Sequence, residues 1–286
     1  MTRGLRGGSL LLLLPALLFV ALLFVYPFIY GLLLSVTTEG GGLTLKNYVA
    51  FFGDPWEART IWVTLRLAIP ATLINVGLAI PLAYYMRHGR RGGRAITFFL
   101  ILPLTLGTVL VAQGMLNYMG PTGWLNQLLM LVGIARQPVQ FTHNSLGVLL
   151  SLIIQGLPFA FLMILGYVSG INPDLEKASQ MLGASKWQTF LRIMLPLMVP
   201  GIAICFCLVF VMEFSVFPTA VLLGQPSGPT RVISLAAYQW AFEKFDFHIS
   251  SAITMTMAAI ELIVISVVLA GRNRMQRSAS MVGGKG

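Results

Sequence analysis

Six apolar runs alternate with short polar stretches along the chain, at approximately 10–36, 61–86, 95–118, 146–170, 199–223 and 249–270. A helix needs roughly 20 residues to cross a hydrocarbon core, and each run is long enough. Prolines lie inside or at the ends of most of them: Pro15, Pro27, Pro70, Pro81, Pro103, Pro158, Pro200 and Pro218. Such breaks are tolerated in a membrane where protein or a water-filled cavity satisfies the freed backbone groups. The pattern therefore predicts an all-α membrane protein of six transmembrane helices surrounding a path, in a single domain over 1–286. No long linker, low-complexity block or internal repeat interrupts it.

The most structured polar interruption is Asn172–Pro196, NPDLEKASQMLGASKWQTFLRIMLP. Its local signals predict two short helices meeting at a tight turn. Asn172 can cap the first, Pro173 suits its first position, and Asp174 and Glu176 place negative charge at its positive end. Gly183 can take the left-handed conformation that ends it. Ser185 and Gln188 form an S-x-x-Q capping box for the second helix, which Pro196 is expected to close. Leu175, Ala178, Met181 and Leu182 recur at helical spacing and make an apolar face suited to a groove in a partner. Trp187, Phe190 and Leu191 are expected to pack back onto the spans.

Composition supports lipid as the main solvent: 57% of the 286 residues are apolar and only 10% are charged. A net charge of +10 would suggest nucleic acid in a soluble protein, but here the basic residues sit in short loops beside apolar runs. Thirteen of the nineteen fall on one side: Arg3 and Arg6; Arg87, Arg90, Arg91 and Arg94; Lys177, Lys186 and Arg192; Arg272, Arg274, Arg277 and Lys285. The positive-inside rule puts both termini and the 172–196 loop in the cytoplasm. Arg3 and Arg6 before an apolar run also suit a signal peptide, but the run is too long and lacks a small-residue cleavage site, so it reads as a retained span. Cys205 and Cys207 lie two apart and point to different helix faces, which predicts buried packing.

The segment Glu176-Lys-Ala-Ser, then Gly183, then Ile193-x-Leu195-Pro196 resembles the EAA loop of permease subunits of type I ABC importers. The resemblance is strongest over about 173–201 and extends to span number and topology. It implies a cytoplasmic helix-turn-helix coupling loop in a bacterial inner-membrane protein. Partners implied are two cytoplasmic ATPase subunits that bind ATP-Mg, a second permease (a heterodimer by the polyamine-type likeness) and an extracytoplasmic solute-binding protein. Glu176, Lys177, Ala178, Ser179, Met181, Leu182, Gly183, Ala184, Ile193, Leu195 and Pro196 would then couple to the ATPase. Counting back from Gly183, the motif glutamate falls at Lys177, with Glu176 one residue and about 100° away. Either residue can take that glutamate's role. The chain carries no G-x-x-x-x-G-K-[ST] phosphate loop, so ATP hydrolysis is left to a partner.

Ionisable groups inside apolar spans are costly and mark candidate sites. Glu213 lies mid-span in VFVMEFSVFPTAVLLG, which resembles the acidic-Phe…Pro…Leu-Gly stretch of permeases for polyamines, ferric iron and related solutes. It either faces a solute path, or pairs with a neighbouring helix or lies near the outer boundary. Glu261 sits in the last span, and Arg66 can snorkel from the start of its own. Asn75, Gln113 and Gln155 can line a path or bond between helices. Tyr238, Trp240 and Asp246 belong to a segment, Gly228–Asp246, that resembles part of the outer gate of polyamine- and opine-type permeases. The residues thus predict a non-enzymatic permease for a small polar solute, with polyamine the favoured cargo. An ion-gradient-driven carrier is the alternative, and no half-to-half match supports it. His88, His143 and His248 are scattered without ligand spacing, so neither metal nor catalytic chemistry is expected.

Overall fold

The structure is a computed structural model that describes residues 14–38, 40–89 and 93–283, with the side chains of all of these except residue 94 and residues 275–283. Arg3, Arg6, Arg90, Arg91 and Lys285, and residues 10–13 of the first run, lie outside the described residues, as do the side chains of Arg94 and Arg277. Among the described residues the chain is almost wholly helical. Six helices are long and apolar enough to cross a membrane.

In chain order the helices are α1 (Leu14–Ser35), α2 (Lys46–Gly53), α3 (Pro55–Met86), α4 (Gly93–Met119), α5 (Trp124–Leu131) and α6 (Ser145–Ser169). They continue with α7 (Asp174–Met181), α8 (Lys186–Phe214), α9 (Pro218–Leu223), α10 (Ile233–Tyr238) and α11 (Phe247–Gly283). The fifth expected span differs at both ends. Pro196 does not close a helix, because a π-turn over Phe190–Met194 widens the spiral just before it and the chain runs unbroken from the loop into the span. The widened turn accommodates a ring that would otherwise clash with the carbonyl four residues back. At the far end the helix stops at Phe214, and Pro218 starts the separate α9.

Packing divides the chain into two units. The larger, Thr60–Leu235 with Ala259 onward, is built on α3, α6 and α8. Thr64, Ala68, Thr72, Asn75, Ala79 and Ala83 recur every three or four residues along α3 and are fully buried. Without a hydrophobic drive between helices in lipid, such small faces let backbones approach and gain dispersion contacts. Against them lie Phe161, Ile164 and Val168 of α6 and Met194, Met198 and Val209 of α8. Thr64 Oγ1 accepts the Ile233 amide at 2.9 Å, tying α10 to α3. Cys205 and Cys207 are both free and buried, as expected. By contrast, α4 exposes most of its length, and Gly107 interrupts it with non-helical φ 75° and ψ 160°.

The smaller unit joins the described residues up to Arg59 with Ala236–Ala258. Asn47 Nδ2 donates to the Ser35 and Thr37 carbonyls at 2.9 and 3.0 Å, folding α2 back on the end of α1. His248 Nδ1 lies 3.0 Å from the Leu34 carbonyl.

A methyl group on Gly201 of α8 would run into the ring of Tyr167 on α6. Gly201→Ala should therefore destabilise by roughly 1–3 kcal/mol through overpacking. A lower thermal unfolding midpoint for the purified protein in detergent checks this.

Candidate functional site

The 172–196 loop folds much as its local signals predict. Asn172 Oδ1 accepts the Asp174 amide at 2.9 Å, and Gly183 has φ 86°. The capping box is complete: Ser185 Oγ accepts the Gln188 amide and Gln188 Oε1 accepts the Ser185 amide. Between these boundaries α7 buries one narrow polar face and exposes the rest, Asp174 and Gln180 included. Its buried residues are Glu176 and Ser179, while Leu175, Lys177, Ala178, Met181 and Leu182 face outward. Met181 and Leu182 are 87% and 89% exposed.

The polar face is buried because it is fully paired. Glu176 Oε1 meets Arg87 Nη1 at 2.7 Å and its Oε2 meets His88 Nε2 at 3.0 Å. The second arm of the guanidinium, Nη2, donates to the Ile171 carbonyl at 2.7 Å. Ser179 Oγ and Thr189 Oγ1 are 2.7 Å apart, and Ser179 Oγ donates to the Glu176 carbonyl at 2.9 Å or to Thr189. The two candidates for the motif glutamate are thereby separated. Glu176 points into the protein, and Lys177 points out, bridged to Asp174 at 2.9 Å across one turn. Arg87, which follows α3, takes up the Glu176 carboxylate in this structure. Ala184, Ile193 and Leu195 are half-buried and Pro196 is exposed.

Trp187 does not pack back as expected; it is 67% exposed. It stacks on Phe190, which in turn meets Tyr84, with ring centroids 5.7 and 4.8 Å apart. These rings line a cavity of about 670 Å³ that Pro81, Glu176, Lys177 and Lys186 complete. Leu191 is also exposed.

Within the spans, Glu213 is 3% exposed and its Oε1 accepts a hydrogen bond from Asn75 Nδ2 at 3.0 Å. Asn75 Nδ2 also lies 3.3 Å from the Leu152 carbonyl, so α3, α6 and α8 meet there. Of the two readings of Glu213, pairing with a neighbouring helix is the arrangement observed. Gly156 makes it possible, since a Cβ there would strike both Glu213 Oε1 and Asn75 Nδ2. Gln155 Nε2 bonds Thr219 Oγ1 at 3.0 Å, again between helices. Glu261 accepts from Ser215 Oγ at 2.9 Å. Gln113 is exposed on α4, six residues beyond the Gly107 interruption.

In the smaller unit Asp246 Oδ1 caps the start of α11 through the Ile249 amide at 2.9 Å. Tyr30, Leu34, Phe245, Asp246, Phe247 and His248 line a cavity of about 340 Å³. Tyr238 is exposed beside Phe242, with ring centroids 5.1 Å apart. Lys244 lies 3.5 Å above the Trp240 ring.

Arg87, His88 and Thr189 were missed as site residues. Arg87 entered only as one basic residue among many. The available signal was an arginine at the very end of a span, opposite a loop glutamate one place out of register.

Six membrane-length helices, with a helix-turn-helix loop held against α3 and α8, make this a multi-pass membrane protein. The chain belongs to the family described as "Binding-protein-dependent transport system inner membrane component", which matches residues 75–277. It is an ABC-importer permease and a multi-pass membrane protein, not an enzyme. The spermidine/putrescine transport system permease protein PotB of Haemophilus influenzae is 30% identical over 218 residues, covering 73% of this chain and 76% of that one. PotB of Escherichia coli strain K12 is 29% identical over 182 residues, covering 63% and 66%. A chain of a bacterial alginate ABC transporter, crystallised with an alginate pentasaccharide-bound periplasmic protein, superimposes with a TM-score of 0.78 over 93% of this chain and 94% of that one, at 23% identity. That last likeness carries the fold alone.

Asn75→Ala strips the buried Glu213 of its donor and should cost roughly 1–3 kcal/mol, as for a buried polar group left without a partner. Glu213→Gln keeps an acceptor for Asn75 and should cost clearly less. Thermal unfolding of the two variants in detergent ranks them.

Proposed function

We propose that this chain forms half of the translocation pathway of an ATP-driven importer, with α7 as the contact for a cytoplasmic ATPase. One observation carries the reading: the loop buries Glu176 and Ser179 against the spans and leaves the apolar side chains of α7 outside. Leu175, Ala178, Met181 and Leu182 offer a face that is costly to leave in water and suits a groove. Lys177 sits at the rim of that face, where the motif has a glutamate, so the ATPase surface opposite should present a carboxylate. Gly183, Ala184, Ile193, Leu195 and Pro196 shape the elbow and its junction with the span. Two ATPases, a second permease and an extracytoplasmic solute-binding protein complete the assembly, with both termini of this chain in the cytoplasm. The second permease is a different chain, as in the polyamine-type systems the sequence resembles.

The solute we favour is a polyamine or a related small organic cation. Two relatives named for spermidine and putrescine transport support this. So does the aromatic cavity containing Tyr30, Phe245 and Phe247 with Asp246 at its wall. Ring faces with a carboxylate suit an ammonium group, through cation–π attraction and ion pairing. Tyr238 and Asp246 would guide entry, and Gln113 would face the path from the interrupted helix α4. Glu213 and Asn75 would become available to solute only when α3 and α8 part.

The complex reconstituted in liposomes, with its ATPase and binding protein, should take up spermidine or putrescine only with internal or external ATP on the ATPase side. Uptake that follows an ion gradient after ATP removal would instead establish the carrier reading. A crosslinker at Met181 should capture the ATPase in the active complex. Gly183→Val forces a β-branched residue to φ 86° and should lower uptake per ATP hydrolysed by roughly tenfold, from strain of 1–3 kcal/mol at the elbow.

A further inference from the structure

We infer that Arg87 is a positioning residue that delivers the loop's stroke to the second span, α3. The inference rests on reading α7 as the ATPase contact. By covalent connection the loop joins only α6 and α8. Arg87 adds α3, because it directly follows Met86, the last residue of that helix. One guanidinium holds three other segments: Glu176 of α7 at 2.7 Å, the Ile171 carbonyl beyond α6 at 2.7 Å, and Met194 Sδ of α8 at 3.6 Å. His88 secures the second carboxylate oxygen at 3.0 Å. The Arg87 and Glu176 side chains are 4% and 8% exposed, so water does not loosen the pair.

A buried ion pair adds little net stability, because desolvation offsets its attraction. It does fix geometry: a planar fork engaged on both arms permits one orientation of α7 relative to α3. Twelve residues up the same helix, about 18 Å along its axis, Asn75 holds Glu213 of α8. The two buried carboxylates thus hang on a single rod. A push on α7 reaches the Asn75–Glu213 junction through α3 as well as through α8. Pro81 lies between the two points and permits the rod to bend rather than break.

The test uses the reconstituted complex with ATPase and binding protein, and reads uptake, ATP hydrolysis and Met181 crosslinking in parallel. Arg87→Ala and Glu176→Gln should retain the Met181 crosslink and ATP hydrolysis, while uptake per ATP falls roughly tenfold, within the range of coupling mutations. Arg87→Lys keeps the charge but loses the fork, so it should fall between wild type and Arg87→Ala. The swap of Arg87→Glu with Glu176→Arg should recover part of the loss. Wild-type uptake per ATP in both single variants would overturn the inference. Loss of the Met181 crosslink and assembly in Arg87→Ala and Arg87→Lys alike would also overturn it, by reducing the pair to a folding brace. A wild-type complex that never gives the Met181 crosslink would instead overturn the docking reading itself.

Discussion

The arrangement of the loop depends on one arginine fork. A guanidinium removed from water must satisfy its donors inside the protein, and Arg87 does so with the Glu176 carboxylate and the Ile171 carbonyl. Satisfying them turns the polar face of α7 inward. Since a helix has only so many faces, Leu175, Met181 and Leu182 are then left outside. The exposed apolar surface is thus a consequence of the buried charge, and a partner that covers the former relies on the latter. Ser179 and Thr189 make the same bargain on the other side, holding α7 against the start of α8.

Signals confined to a few residues were legible in the sequence. The Asn172 cap, the left-handed Gly183 and the Ser185–Gln188 box each depend on atoms within one turn, so composition and spacing suffice. Span number was legible too, because apolar length decides it. What failed depended on partners far along the chain or on helical phase. Arg87 and Glu176 are 89 residues apart, and Asn75 and Glu213 are 138 apart. No local pattern distinguishes a glutamate facing a path from one bonded across helices. Pro196 misled because a proline usually stops a helix, and nothing in FLRIM announces the π-turn that lets it through. Trp187 was expected inside on hydrophobicity alone, yet its ring stacks at the surface over Phe190.

The core and the exposed spans divide the work between them. Helices α3, α6 and α8 share small-residue faces, and Gly156 and Gly201 allow the closest approaches. Within that packing Asn75 meets Glu213 as a buried polar junction. α4 is different: broken at Gly107 and open along most of its length, it has polar Gln113 on its surface. Interrupted backbone at membrane depth requires protein or water beside it. In the proposed assembly, α4 is where the second permease or the solute path meets this chain.

The π-turn over Phe190–Met194 has a further effect on the mechanics of α8. One extra residue in a helical turn offsets the phase between Lys186–Thr189 and the span beyond by about 100°. That offset lets Thr189 and Met194 both face inward although five residues separate them, while Trp187 swings out over the cavity. The widened turn thereby decides which side of the loop's second helix meets the spans: Thr189 reaches Ser179, and Trp187 stands at the surface.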